Sequence, residues 1–175
     1  MTTKFKVKVP ESVSIEIKES EVIVKGNKGE LKVTFDKNII KIEKAEDTII
    51  VSCEKNIDAQ KEQAGTVAAL IRNAIIGVSQ GYYAELALVY EHFPASIKVQ
   101  DDKIIVENFI GSRDKIVIPF EKEKVNIKVS GTKITIEGID KYEVGQTAAN
   151  IEQKVRPKGK DRRIFRDGIY IIKKP

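Results

Sequence analysis

The side chains able to do chemistry in this sequence gather at its end. Between Lys154 and Pro175, in KVRPKGKDRRIFRDGIYIIKKP, stand nine bases (Lys154, Arg156, Lys158, Lys160, Arg162, Arg163, Arg166, Lys173 and Lys174) and two acids (Asp161 and Asp167). The segment carries +7; the rest of the chain, with 22 bases and 24 acids, sums to −2, so the whole excess behind the net +5 lies at one end. The chemistry on offer is charge-assisted hydrogen bonding to an anion. An arginine fork donates two parallel bonds to one phosphate, whereas a lysine acts as a mobile point charge. In Arg162-Arg163-Ile164-Phe165-Arg166 neighbouring side chains diverge in any backbone conformation, so several phosphates or a groove edge suit them better than one. A like-charged block containing Pro157 and Gly159 repels itself, and a polyanion is its natural counter-surface. Phe165, Ile169, Tyr170 and Ile171 are interleaved among the charges, which a merely solvated tail does not need. Phe165 and Tyr170 either stack on an exposed base or pin the tail to its own domain. The segment reads as an RNA anchor, ordered by itself or on binding.

Other candidate groups are fewer. Asp167-Gly168 reads as the turn into a last strand, GIYII, with Asp167 also placed to pair with Arg163 or Arg166. Asn108, Gly111, Ser112 and Arg113 form a turn in which Arg113 and Lys115 are secondary candidates for the same polyanion. His92 reads as a structural residue at a strand end and Cys53 as a buried small hydrophobe. One histidine and one cysteine exclude a clustered metal site and an internal disulfide. Adjacent Asp101 and Asp102 diverge on a tight turn, which does not suit general acid–base work. No nucleophile–base pair, phosphate-binding glycine loop or nucleotide fingerprint is present. The expectation is a protein that is not an enzyme and needs no cofactor, metal or small-molecule substrate.

Two sets of elements must carry these groups. Alternating apolar residues mark strands at Val13–Ile17, Val22–Val24 and Leu31–Phe35, then in IIKIEK and DTIIVSC. From Asp58 the spacing changes to three and four, with Ala64, Val67, Ala68, Ile71, Ala74, Ile75 and Val78 along one helical face. Asp58 is expected to cap this helix and Gly81 to stop it. The order then repeats: a strand from Tyr82, the strands SIKVQ, KIIVE, DKIVIP, VNIKVS and KITIE, and a helix capped by Asp140 with Glu143 reaching back. A shift of 82 aligns Ile15, Val22, Val24 and Gly29 with Ile97, Ile104, Val106 and Gly111. After a small insertion, a shift of 85 aligns Phe35, Ile40, Ile42, Ile49 and Val51 with Phe120, Val125, Ile127, Ile134 and Ile136. The reading is an α+β protein of two tandem duplicated domains, each an antiparallel sheet packed with one helix: residues 1–81, residues 82–153, and a basic C-terminal extension, 154–175. Removing that extension is expected to leave both domains folded. With no long apolar run and no apolar core in MTTKFKVKVPES, neither a membrane span nor a secretory signal is read, which places the chain in the cytoplasm.

Several motifs carry a family resemblance. VKGNKGEL (24–31), EHFP (91–94), VENFIG (106–111), VGQTAANIEQ (144–153) and KDRRIFRDGIYIIKKP (160–175) together resemble the universal protein six family of the large ribosomal subunit, in its archaeal and eukaryotic branch. The resemblance covers essentially the whole chain and is weakest at Lys154–Gly159. It implies a structural ribosomal protein bound to large-subunit rRNA near the sarcin-ricin loop, at the stalk base, with neighbouring ribosomal proteins as partners and translational GTPases acting nearby. It implies rRNA contact through Lys160, Arg162, Arg163 and Arg166, and less securely through Lys154, Arg156, Lys158, Lys173 and Lys174. The alternative from another class is a free two-domain adaptor whose basic tail docks on an acidic protein.

Overall fold

The computed structural model describes residues 4–45, 48–53, 57–90, 93–161 and 163–175. The chain divides into two compact units, Met1–Gly81 and Tyr82–Pro175. In the first, strands β1 (Lys4–Lys8), β2 (Ser14–Ile17), β3 (Glu21–Gly26), β4 (Gly29–Thr34), β5 (Ile40–Ala45) and β6 (Thr48–Cys53) precede helix α1 (Asp58–Ser79). They form two antiparallel sheets, β2-β3-β4 and β1-β6-β5. Helix α1 packs across both, contacting β3, β4, β6 and β1. Its buried residues include every member of the expected stripe, Ala64, Val67, Ala68, Ile71, Ala74, Ile75 and Val78.

The second unit repeats this order with β7 (Tyr82–Val89), β8 (Ser96–Gln100), β9 (Lys103–Glu107), β10 (Ile116–Pro119), β11 (Val125–Ser130), β12 (Lys133–Gly138) and α2 (Lys141–Lys154). Its sheets are β8-β9-β10 and β11-β12-β7-β13, the last strand, β13 (Gly168–Lys173), following α2. Matched registers bear out the duplication. Ile15 faces Val24 as Ile97 faces Val106, and Ile42 faces Val51 as Ile127 faces Ile136. The aligned pairs Val22/Ile104, Val24/Val106, Ile49/Ile134 and Val51/Ile136 are all fully buried. Each such side chain removed from water contributes about 1.5–3 kcal/mol, so the shared period-two pattern is also the shared core.

The helix termini divide into expectations met and missed. Gly81, at φ +79, lies just past α1 in the left-handed region that favours glycine, and its N–H reaches the Ile76 carbonyl at 3.3 Å. Asp58 does not cap: the capping position falls on Ile57, without a side-chain bond, and Asp58 instead pairs with Lys61 at 3.0 Å. Asp140 does cap α2, accepting from the Tyr142 N–H at 2.9 Å. Glu143 does not reach back to it, because Lys124 holds it at 2.9 Å.

The largest departure from expectation concerns residues 154–175. Strand β13 (Gly168–Lys173) pairs antiparallel with β7, setting Ile169 opposite Leu88 and Ile171 opposite Leu86. Val155 and Ile169 are fully buried and belong to the second unit's core. The segment is therefore built into that unit, and the expectation that its removal would leave both domains folded is corrected. The physical reason is the alternation Ile169, Tyr170, Ile171, which supplies an apolar edge to β7.

Candidate nucleic-acid interface

The basic residues stand on a loop with a fixed neck. Helix α2 ends at Val155, whose N–H donates to the Ile151 carbonyl at 3.1 Å, and the returning Ile169 N–H donates to the Val155 carbonyl at 3.4 Å. Gly168 lies against this closure: a Cβ there would stand 3.1 Å from the Val155 carbonyl oxygen and 3.3 Å from the Tyr170 ring. Asp167, fully buried, sits at the root of the loop. Tyr170 donates its hydroxyl to the Arg166 carbonyl at 3.0 Å, so this ring pins the tail.

Within the loop, Asp161 organises the arginine cluster. Its carboxylate accepts from the Arg163 N–H at 2.9 Å and from Arg163 Nε at 3.4 Å, while its carbonyl accepts from the Ile164 and Phe165 N–H groups at 3.1 and 2.8 Å. This turn, built on the sequence Asp-Arg-Arg-Ile-Phe, leaves the Arg163 side chain 92% exposed. Lys160 Nζ stands 5.5 Å from the centre of the half-buried Phe165 ring. Arg162 lies outside the described residues, as does His92.

Apart from Arg163, which is exposed yet paired with Asp161, the predicted cations among the described residues fall into two groups. Lys154, Lys158, Lys160, Arg166, Lys174 and Arg113 are exposed, and among the described residues no ion pair engages them. Arg156, Lys173 and Lys115 are committed within the chain. Arg156 bonds the Glu152 carbonyl at 3.1 Å and its carboxylate at 3.4 Å. Lys173 donates to the Tyr83 hydroxyl and lies 4.2 Å from that ring's centre, and the bond to Tyr83 raises its pKa. Lys115 pairs with Glu107 at 2.8 Å and Lys98 with the same carboxylate at 2.7 Å; hydrogen bonds from these two lysines push the Glu107 pKa down to about 2.

One assembly of residues was not legible as such in the sequence. The turn between β9 and β10 and the chain leaving α2 enclose a groove of about 560 Å³. Phe109, Ile110, Val117 and Pro157 supply apolar lining, and Lys154, Arg156, Lys158 and Lys160 border it. Ile110 holds φ +52 and ψ +38, a left-handed conformation that strains a β-branched residue by on the order of 1–3 kcal/mol. Neighbours support the strain: the Asn108 side-chain amide bonds the Pro94 carbonyl at 2.9 Å, and the Phe93 ring packs beside Gly111. The one sequence signal was the insertion between the two alignment shifts, which falls near this turn.

Among the described residues, no group of acidic, histidine or cysteine side chains could hold a metal, and no helix is long and apolar enough to cross a membrane. Cys53 is a buried free thiol.

The chain resembles proteins described as large ribosomal subunit protein uL6 in several archaea. It is 42% identical to that of Methanosarcina mazei over 168 residues, covering 96% of this chain and 95% of that one. It is 41% identical to that of Methanosphaera stadtmanae over 168 residues, covering 96% and 91%. It is also 41% identical to that of Staphylothermus marinus over 169 residues, covering 94% and 91%. A family model described as Ribosomal protein L6 matches residues 9–81 and again 93–168, one match in each α+β unit. The double match, together with two structurally equivalent units and relatives aligned nearly end to end, shows that this chain belongs to the ribosomal protein L6 family.

Proposed function

We propose that this chain, by family a non-enzymatic constituent of the large ribosomal subunit in the cytoplasm, is anchored to large-subunit rRNA by the loop that leaves α2 and returns as β13. The proposed site lies near the sarcin-ricin loop at the stalk base, among neighbouring ribosomal proteins and close to where translational GTPases act. The carrying observation is the closed neck at Val155 and Ile169, from which Lys158, Lys160, Arg163 and Arg166 project into solvent beside one exposed acid, Asp161, the other, Asp167, being buried. Arg162 shares this role by its place in the sequence, with Phe165 steadying Lys160. Lys154 and Lys174 flank the loop, and Arg113 extends the basic surface from the β9–β10 turn. Arg156, Lys173 and Lys115 contribute positive potential while keeping their internal partners.

A loop of this kind suits phosphates and 2′-hydroxyls of folded RNA, which are read by shape more than by base identity. Its fixed neck lowers the backbone part of the ordering cost of binding, while the exposed Lys and Arg side chains still lose rotamer freedom. The second α+β unit serves as the platform that holds it. Affinity for a large-subunit rRNA fragment, measured against salt, tests the reading. Contact with about six phosphates gives a log–log slope of roughly −4 to −5. A slope near zero, or equal affinity for an acidic protein, overturns it in favour of a protein-docking adaptor.

A further inference from the structure

We propose that the groove between the β9–β10 turn and the chain leaving α2 receives a single unstacked nucleotide, its base on the apolar floor and its flanking phosphates on the lysine rim. This rests on the rRNA reading above and deepens it. A rim of cations by itself calls only for phosphates. The floor, with Val117 45% exposed and Ile110 and Pro157 half-buried over the buried Phe109, calls for something flat and apolar as well. Stacked bases in a duplex offer no face to such a floor, whereas a splayed-out base does. The volume, about 560 Å³, lies in the range of small-ligand pockets. Charge selects the occupant: Lys154, Arg156, Lys158 and Lys160 border the groove and Asp114 is the acid among its lining residues.

A second observation comes from the duplication. In the first unit the equivalent of the β9–β10 turn is Asn27-Lys28, closed tightly between Gly26 and Gly29. After α1 the chain runs through Gln80 and Gly81 straight into β7. Neither wall of the groove has a counterpart there. Both segments that meet at the groove are places where the second unit departs from its sibling. The strained Ile110 sits in one wall and lines the floor.

The test uses the full chain and two RNA hairpins of equal length, one fully paired and one carrying a single unpaired 2-aminopurine. The expected result is binding of the bulged RNA roughly three- to tenfold tighter than the paired one, the range that covering a small apolar area supports. A saturable change in 2-aminopurine emission should accompany it. Val117→Ser, on the surface of the groove, should bring the ratio of the two affinities towards one, and circular dichroism checks its fold. Equal affinities for both RNAs, or an undiminished ratio in Val117→Ser, overturn the nucleotide pocket while leaving the phosphate anchor standing. Failure to bind either RNA at low salt overturns the anchor itself. Tighter binding of an acidic, aromatic-rich peptide than of the bulged RNA overturns the nucleotide in favour of a protein segment.

Discussion

The two units are built alike, and one of them carries a basic excursion that the other lacks. Each lays one helix across two small antiparallel sheets, with matching registers and matching buried residues. In the first unit α1 has 22 residues and hands the chain directly to the next strand. In the second, α2 has 14 residues, and the chain makes a basic excursion before returning as β13. The excursion rests on its own scaffold, because its return strand completes the sheet of the unit from which it leaves. The comparison teaches that the repeated core supplies stability twice, while charge has been added once, at a site the core holds open.

The bluntest way to break this comparison is to end the chain at Lys154. Loss of β13 uncovers β7 and removes Ile169 from the core, so the second unit should lose its cooperative transition while the first keeps its own. Two thermal transitions at unchanged temperatures in the truncated protein would show that β13 is dispensable. A finer cut is Ile169→Ala, which should destabilise the second unit by about 2–5 kcal/mol in denaturant unfolding. Ile172, at the β13 bulge and 62% exposed, should by contrast lose less than about 0.5 kcal/mol on the same change.

The helix caps sharpen the contrast at smaller scale. Asp140→Ala should cost about 1 kcal/mol, since it removes the acceptor for the Tyr142 N–H. Asp58→Ala should cost about 0.5 kcal/mol, since what is lost is an exposed pair with Lys61 and an exposed charge in the first turn of α1.

The smallest effect concerns Glu107. Its carboxyl is depressed in the folded state to about 2, so its favourable interactions are fully present above the ordinary carboxylate pKa of roughly 4.3 and are lost as pH falls through about 2. In Lys115→Gln the carboxyl should titrate closer to that ordinary value, as followed by NMR. An unmoved titration would show that Lys98 alone holds it.

Much of this was legible in the sequence, for reasons that differ by residue. Period-two apolar runs and the stripe from Ala64 to Val78 disclose strands and helix because each repeats a geometric constraint many times. The Asp140 cap and the Gly81 stop were legible because one residue type serves one backbone geometry. Asp58 misled because the cap was set by where the chain enters α1, and Glu143 because Lys124, 19 positions away, competes for it. The commitment of Lys115 and Lys173 was hidden for the same reason, since Glu107 and Tyr83 meet them only through strand pairing, whereas the Glu152–Arg156 pair, four positions apart at the end of α2, stood at a spacing the sequence displays. The groove was invisible because its walls come from segments far apart in the chain, and the left-handed Ile110 runs against the preference of its residue type. The tail's alternation, Ile169-Tyr170-Ile171, did carry the signal of a strand, but not which edge it would join.

The most direct test of the central claim compares equal charge removed from the two units. One variant neutralises Lys158, Lys160, Arg163 and Arg166 to glutamine, and a control neutralises Lys6, Lys8, Lys18 and Lys32, four exposed lysines of the first unit. Affinity for a large-subunit rRNA fragment is measured against salt for each. The loop variant should lose about 3 from the magnitude of the log–log slope, and the control should keep the wild-type slope. A loop variant with the wild-type slope, or a control that loses as much, would contradict the claim that RNA is held by the loop between α2 and β13.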